Sequence, residues 1–397
     1  MARALSEPRV KSPLTVGNAI ALLHSGREYF PALEAAIDEA RAEVMLQTYI
    51  FAPDQTGRRI AAALVRAVGR GVAVRVVVDG FGSQALVADK MMDELLAAGV
   101  EVLIFRRGLR LLSFRRNRLR RMHRKVVVID DRLAFVGGIN IVDDFTADAT
   151  RPFYDYAVRV EGPLLEPIVA SVRRLWRLLV WVGLRRRARA PHGWRRALVT
   201  AAAGTMQAAF LVRDNLRHRN EIENAYLGAI ALAGEEILIA NAYFFPSRRF
   251  RRALYTAVAR GVKVTLLLQG VADHPLMQYA TRALYPRFLE RGIRLFEYRR
   301  SMLHAKVAVI DRHWATVGSS NIDPFSLLLA REANVVVIDD DFAATLETSL
   351  RTAISTDAEE LRPEDLQRAS WLRRMLYWLA CQTVRLATGI AGYGGRQ

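Results

Sequence analysis

The chain alternates short apolar runs with segments whose apolar positions recur about every 3.6 residues. Buried strands rich in Val, Ile and Leu are predicted at Val44–Phe51, Val72–Val78, Ile237–Phe245 and Val262–Leu268. Amphipathic helices are predicted at Pro31–Ala42, Gly57–Gly69, Ile222–Leu232 and Arg248–Ala259. Strands of this composition that alternate with helices predict an α/β protein whose sheet is covered on both faces.

The elements occur twice in the same order. ALVRAVGRGVAVRVVVDG at Ala63–Gly80 is matched by ALYTAVARGVKVTLLLQG at Ala253–Gly270. Two shorter segments also recur: HRKVVVID (His123–Asp130) as HAKVAVID (His304–Asp311), and AFVGGINI (Ala134–Ile141) as ATVGSSNI (Ala315–Ile322). Because the order is kept, the pattern indicates that a whole domain has been duplicated.

Two domains are predicted, at residues 1–195 and 196–360, followed by an amphipathic tail at 361–397. With 397 residues, the chain is long enough for two domains that each bury a core. The boundary is expected within Arg185–Gly204, where a basic run gives way to small residues.

The composition adds a strong positive charge. Lys and Arg number 58 against 40 Asp and Glu, which gives a formal net charge of +18. Such a surface attracts polyanions, either nucleic acid or the anionic headgroups of a membrane. Because Cys381 is the single cysteine, an intrachain disulfide and a thiolate metal cage are excluded.

Contact with a membrane surface is expected, but no membrane span. The amino terminus has no signal-peptide core, and the two most apolar runs, Leu175–Leu184 and Trp371–Ile390, both contain Arg. Arg106–Lys125 has ten basic residues and no acidic one, interleaved with leucines. An amphipathic element on an anionic interface would have this pattern, with a solvated loop as the alternative. The tail helix could likewise lie on the interface or pack on the body.

Each repeat contains a histidine, a lysine two residues later and an aspartate five residues after the lysine. Residues two apart on a strand point to the same side. His123 and Lys125 should therefore share one face, as should His304 and Lys306. One histidine of this kind is weak support for catalysis, but two extended copies are not expected by chance.

Small residues and an amide follow each motif. The segments GGIN and GSSN end in Asn140 and Asn321, and they include Gly138 and Ser319. Small side chains let backbone N–H groups approach a phosphate closely. We therefore predict that these four residues bind phosphate.

Two imidazoles, two lysines and two amides suit exchange at a phosphodiester. One imidazole can attack phosphorus and hold it covalently. The other can protonate the departing alkoxide and then deprotonate the incoming alcohol. Because the lysines and amides supply the charge that stabilises the non-bridging oxygens, neither a metal nor a cofactor is expected.

The paired motifs resemble those of the phospholipase D superfamily over nearly the whole chain. The segments GNAIALLHSGREYFPAL, LVRDNLRHRNEIENAY and HWATVGSSNIDPFSL resemble bacterial cardiolipin synthases of the type that lacks amino-terminal membrane helices. This resemblance implies two phospholipase D-like domains, each a mixed β-sheet flanked by helices, packed pseudo-symmetrically around one active site. It also implies phosphatidyl transfer, typically between two phosphatidylglycerols, giving cardiolipin and glycerol.

The resemblance also implies roles for single residues. His123 is the nucleophile and His304 the general acid and base, an order that follows the family because the halves are nearly equivalent. A later carboxylate orients each histidine, and Asp155 and Glu332 are the candidates. Relatives usually have Asn two residues before this glutamate, where this chain has Ala330.

Asp130 and Asp311 complete the two motifs. We expect them to brace the motif strands, and a direct part in catalysis is the alternative.

Other activities remain open at this point. A phospholipase D-type hydrolase would use water on the same intermediate, and a related transferase would use phosphatidylethanolamine as the donor. A nuclease would suit the charge, although the apolar residues within the basic stretches argue against nucleic acid as a partner. A noncatalytic membrane-binding protein would not need either histidine. The expected location is peripheral, on the cytoplasmic face of the bacterial cell membrane, and the sequence does not indicate an oligomeric state.

Overall fold

The computed structural model describes residues 12–106, 121–143, 152–182, 201–214, 218–271, 274–323, 330–367 and 370–388. The strands are β1 Thr15–His24, β2 Glu43–Thr48, β3 Ala73–Asp79, β4 Glu101–Phe105, β5 Arg121–Met122, β6 Lys125–Ile129, β7 Leu133–Gly137, β8 Tyr156–Glu161, β9 Met206–Arg213, β10 Glu236–Asn241, β11 Lys263–Gln269, β12 Arg294–Tyr298, β13 Lys306–Ile310, β14 Trp314–Gly318, β15 Ala330–Ile338 and β16 Ala358–Leu361. The helices are α1 Ser25–Asp38, α2 Gln55–Gly69, α3 Gln84–Ala88, α4 Lys90–Ala97, α5 Leu165–Val182, α6 Glu221–Leu232, α7 Arg248–Ala259, α8 Pro275–Arg282, α9 Tyr285–Glu290, α10 Asp340–Asp357, α11 Pro363–Gln367 and α12 Trp371–Thr388.

The strands of both halves join in one mixed sheet. Their order is β16-β12-β11-β10-β13-β14-β15-β9-β1-β8-β7-β6-β2-β3-β4, and β5 pairs with β15. The run from β4 to β1 is therefore mirrored by the run from β12 to β9. At the centre, β1 and β9 pair antiparallel, with Thr15 opposite Ala208 and Asn18 opposite Met206. The predicted α/β class with two similar halves is confirmed.

Helices cover both faces of the sheet, and one face carries a core that the two halves share. Val128 and Val309 of the motif strands β6 and β13 lie in the same buried cluster as Trp176 of α5 and Leu346 of α10. The opposite face is divided, since α1 and α2 cover the first half while α6 and α7 cover the second. The shared core holds the two motif strands in a defined relation to each other.

The second helix of each half begins at an equivalent polar residue. The Asp54 side chain accepts a hydrogen bond from the Gly57 N–H at the start of α2. The Ser247 side chain accepts one from the Phe250 N–H at the start of α7. Both are N-caps that satisfy an orphan donor of the first turn.

The first helix differs from its predicted range. We predicted Pro31–Ala42, but α1 runs from Ser25 to Asp38 with Pro31 inside it, although proline is more usual at the first position of a helix. Tyr29 and Phe30, which precede the proline, are buried in the core of the first half. Burial of these aromatic side chains outweighs the hydrogen bond that a proline costs inside a helix.

Two sequence predictions concern segments between and beyond the halves. Most of the proposed boundary at Arg185–Gly204 lies outside the described residues, so the domain limits stay a prediction. The apolar run that begins at Trp371 forms α12 as far as Thr388, and the run that begins at Leu175 starts within α5. Within the described part of the chain, no helix combines the length and the apolar character needed to cross a bilayer.

Candidate active site

The two motif histidines lie just before strands β6 and β13, where each half touches the other. The His123 N–H donates to the Arg331 carbonyl at 2.9 Å, and the His304 N–H donates to the Tyr154 carbonyl at 2.9 Å. Arg331 directly precedes Glu332, and Tyr154 directly precedes Asp155. These are the two carboxylates that the sequence analysis singled out. The backbone of one motif is thus hydrogen-bonded to the strand that carries the carboxylate of the other half.

The side chains follow the same crossed pattern. His123 Nδ1 lies 3.0 Å from one carboxylate oxygen of Glu332 and 3.1 Å from the other. His304 Nδ1 lies 2.6 Å from Asp155 Oδ2. When Nδ1–H donates to a carboxylate, Nε2 is left as the free, basic nitrogen. Each half therefore orients the imidazole of the other, a pairing that the sequence left open.

Both carboxylates are held from a second side, by different means. The Ser319 hydroxyl donates to Glu332 Oε2 at 2.5 Å. Gly138 occupies the equivalent position in the first half, where a Cβ atom would collide with the Asp155 carboxylate. Ser319 and Gly138 therefore both lie beside a carboxylate, and their predicted role in binding phosphate stays a prediction.

The motif lysines share a face with their histidines, as the spacing indicates. Lys125 and Lys306 are both buried, with exposed fractions of 3% and 0%. Lys125 Nζ donates to the His123 carbonyl at 2.8 Å, and Lys306 Nζ donates to the His304 carbonyl. Lys306 Nζ also lies 4.0 Å from Asp155 Oδ2. The two ammonium groups place concentrated positive charge at the histidine pair.

The two asparagines are buried beyond the ends of β7 and β14. Asn140 Oδ1 accepts a hydrogen bond from the Ile50 N–H at 3.1 Å. Asn321 is 4% exposed, and among the described residues its Oδ1 has no hydrogen-bond partner. Their predicted role in binding phosphate stays a prediction.

Burial sets the protonation of the site. It lowers the pKa of His123, although the Glu332 carboxylate acts in the opposite direction. It also lowers the pKa of His304 to about 4 and that of Lys125 to about 7. At neutral pH both imidazoles of the free site are therefore neutral, which is the form able to attack phosphorus. A bound phosphodiester adds negative charge, which favours the protonated lysine and a protonated acid catalyst.

Within the described residues, no group of three or more His, Cys, Asp and Glu side chains is arranged to hold a metal ion.

Asp130 and Asp311 lie at the far ends of the motif strands and not beside the imidazoles. The Asp130 carboxylate accepts three backbone N–H groups, from residues 41–43, each at 2.8 Å. Asp311 accepts three from residues 234–236 at 2.7–2.9 Å. Both aspartates have a φ of +52°, as does the residue after each, which produces the tight turn into the next strand. The geometry favours the bracing role over direct catalysis.

This bracing predicts a defect of stability. Asp130→Ala should lower the midpoint of thermal unfolding, because about 1–3 kcal/mol is lost when backbone donors lose their acceptor. The turnover of the folded enzyme should stay near that of wild type. Glu290→Ala, at the exposed end of α9, is the control. Lost turnover with unchanged thermal stability would favour the catalytic alternative instead.

Two supporting residues were missed in the sequence analysis. Asp79 Oδ2 accepts the Met122 N–H at 2.8 Å, and Gln269 Oε1 accepts the Leu303 N–H at 3.0 Å. Both hold the residue just before a motif histidine. The sequence contained a signal for both, because each is the polar residue that precedes the last glycine of the repeated segment.

Tyr49 was also missed, and no repeat signal marks it. Its ring packs edge-on against the His123 ring, with centroids 4.9 Å apart, and the Lys125 ammonium lies 5.4 Å from its centroid. Burial raises the pKa of Tyr49 to about 12, so the phenol stays neutral. The equivalent residue of the second half is Ala242.

Solved structures share this architecture. The crystal structure of phosphatidylserine synthase from Haemophilus influenzae Rd KW20 superposes with a TM-score of 0.71 and covers 96% of both chains. Because the sequences are only 14% identical, this likeness concerns the fold alone.

Sequence comparisons identify the family. A family model described as "Cardiolipin synthase, PLD-like domain" matches residues 33–176 and 226–353. The chain is 40% identical to cardiolipin synthase B of Escherichia coli (strain K12) over 381 residues, which cover 95% of this chain and 90% of that protein. It is 31% identical to cardiolipin synthase A of Pseudomonas putida (strain W619), covering 92% of this chain and 74% of that protein. The chain therefore belongs to the cardiolipin synthase family of phospholipase D-like proteins.

Proposed function

We propose that the protein transfers a phosphatidyl group between two phosphatidylglycerol molecules, producing cardiolipin and glycerol. The observation that carries this proposal is the crossed pair of histidine–carboxylate contacts, which gives one site two oriented imidazoles beside two buried lysines. Membership of the cardiolipin synthase family supports the choice of lipid substrates.

The proposed reaction has two displacements. Nε2 of His123 attacks the phosphorus of the donor, and the bond from phosphorus to the glycerol oxygen breaks as His304 protonates that oxygen. His304 then removes the proton from the hydroxyl of the acceptor phosphatidylglycerol. The resulting oxygen attacks phosphorus, the N–P bond breaks, and His123 returns to its starting state. Lys125, Lys306 and the amides stabilise the negative charge on the non-bridging oxygens.

Purified protein with phosphatidylglycerol vesicles provides the test. We expect cardiolipin and glycerol in equal amounts. Phosphatidic acid without cardiolipin would show that water replaces the acceptor and would move the assignment to a hydrolase. Cleavage of DNA without any lipid product would point to a nuclease. Adding phosphatidylethanolamine as the only donor tests the remaining transferase alternative.

We further propose that the protein binds the cytoplasmic face of the membrane peripherally, through α12. One face of this helix packs on the body, where Ala380, Cys381 and Val384 are buried and the Tyr377 ring lies 5.4 Å from that of Tyr279. Its other large apolar residues are 43–67% exposed: Trp371, Leu372, Met375, Leu376, Trp378, Leu379 and Leu386. Arginines flank this surface at positions 373, 374 and 385. Exposed tryptophan and leucine beside arginine suit the interface of an anionic bilayer.

The double variant Leu376→Glu/Leu379→Glu tests this surface. Binding to phosphatidylglycerol vesicles should weaken at least about tenfold, because two leucines no longer enter the bilayer and two negative charges are added. Vesicle co-sedimentation measures the binding, and activity on a dispersed short-chain substrate should persist. Val65→Glu/Leu96→Glu, on exposed positions of α2 and α4, is the matched control. Equal binding by both variants would contradict the proposed membrane surface.

A further inference from the structure

The mouth of the site differs between the two halves. The first half places an aromatic and cationic group of residues beside its histidine, whereas the equivalent positions of the second half are apolar. The first-half residues are Tyr49, Phe81 and Arg121, and their equivalents are Ala242, Val271 and Met302. A site that treated its two lipids alike would not need this difference.

Arg121 is the only cation in this group, and both its backbone and its side chain make defined contacts. Its backbone pairs with Ala330 in the short parallel ladder between β5 and β15. Its guanidinium carbon lies 4.9 Å from the centroid of Phe81, whose ring is 45% exposed. This cation–π contact holds the guanidinium at the surface of the site without neutralising it.

Arg121 is also near the reaction centre. It precedes His123 by two residues in extended chain, so the two Cα atoms are about 7 Å apart and the side chains share a side. The Tyr49 ring packs against His123, and burial raises the pKa of Tyr49 while the charge of Arg121 opposes that rise. The guanidinium is therefore close enough for its charge to act on Tyr49, whose ring contacts His123.

The Arg121 charge acts at a distance on Asp79, where burial raises the pKa and the charge opposes that rise, and on Tyr49. Among the residues that the structure describes, Arg121 forms no ion pair with a carboxylate. Lys125 and Lys306 already provide the cations at the histidine pair. A further, half-buried cation at this distance suits a second anion that enters together with the reacting phosphate.

Each of the two substrates brings one phosphate, and the two phosphates have different roles. The donor phosphatidylglycerol has one phosphate, which must lie at the imidazoles. The acceptor has a phosphate of its own, joined to the attacking hydroxyl through a three-carbon glycerol. We propose that Arg121 binds the phosphate of the acceptor phospholipid, so that its terminal hydroxyl reaches the phosphorus held on His123. This inference rests on the proposed phosphatidyl transfer and adds the site that selects a phosphate-bearing acceptor over water.

The test compares two acceptors with the same donor. Full-length wild-type protein and Arg121→Met, which copies the residue of the second half, receive phosphatidylglycerol in detergent micelles, either alone or with ethanol. Cardiolipin formation by Arg121→Met should fall about ten- to hundredfold, as expected for one lost charge-assisted contact. Formation of phosphatidylethanol, whose acceptor has no phosphate, should stay near that of wild type. Arg121→Lys should retain part of the cardiolipin activity.

A control variant and three further outcomes complete the test. Arg294→Met, on β12 next to the edge strand β16, should behave as wild type in both arms. If Arg121→Met loses both products, Arg121 serves the donor or the fold, and the inference is overturned. It is equally overturned if both products are unchanged. A wild-type protein that makes phosphatidylethanol but no cardiolipin would instead refute the proposed function, and the inference with it.

Discussion

His123→Ala is expected to abolish the phosphoenzyme and to reduce phosphatidyl transfer by about 10⁴-fold or more, as is usual when a covalent nucleophile is removed. His304→Ala should behave differently, because Nε2 of His123 can still attack phosphorus while the glycerol departs without a proton. The adduct should then form slowly and should also decay slowly. Rapid quenching with phosphorus-labelled phosphatidylglycerol follows both rates.

Mapping the labelled peptide identifies the nucleophile. The two imidazoles have the same kind of carboxylate contact and both are mostly buried, with 17% and 15% of their side chains exposed. The order of roles therefore follows the family resemblance. His313→Ala, a half-exposed histidine paired with Asp340, is the control and should label normally. A label on the His304 peptide would reverse the two roles and leave the crossed geometry intact.

Much of the fold could be predicted because hydrophobic pattern and repeat agree. The helix predicted at Arg248–Ala259 has these bounds in α7, where Ser247 caps the start and three apolar side chains face the core. The prediction for α1 was wrong at its start because local proline chemistry competes with the burial of Tyr29 and Phe30. A periodic pattern shows which face is buried, but the bounds of a helix also depend on tertiary packing.

The site was less predictable than the fold, for a related reason. The repeat brings the same residue types into each half. Two equivalent copies do not show whether a carboxylate contacts the histidine of its own half or that of the other half. The crossed contacts lie beside two short parallel pairings, β5 with β15 and the bridge between Tyr154 and Leu303. The first of these follows a basic stretch with no strand pattern. Tyr49 and Arg121 break the repeat, so they could not be found by comparing the halves. Only the structure shows that Tyr49 and Arg121 lie near His123.

The crossed contacts predict that a change in one half impairs the histidine of the other. Glu332→Gln should slow formation of the phosphoenzyme about 10²- to 10⁴-fold, because an amide no longer selects the Nδ1–H tautomer or stabilises the imidazolium of His123. Asp155→Asn should impair the proton transfers of His304, and it should slow the departure of glycerol and the attack of the acceptor. Each variant should thus resemble the alanine variant of a histidine 209 or 149 residues away.

Double variants decide whether each pair acts as a unit. His123→Ala/Glu332→Gln should be no slower than His123→Ala, since the carboxylate acts through an imidazole that is absent. His123→Ala/Asp155→Asn should lose residual activity further, because Asp155 still serves His304. Glu347→Gln is the control for loss of a buried carboxylate, as its partners Arg312 and Arg351 lie outside the site. The reverse result, with Asp155 coupled to His123, would mean that each half orients its own histidine and that the crossed arrangement does not operate in catalysis.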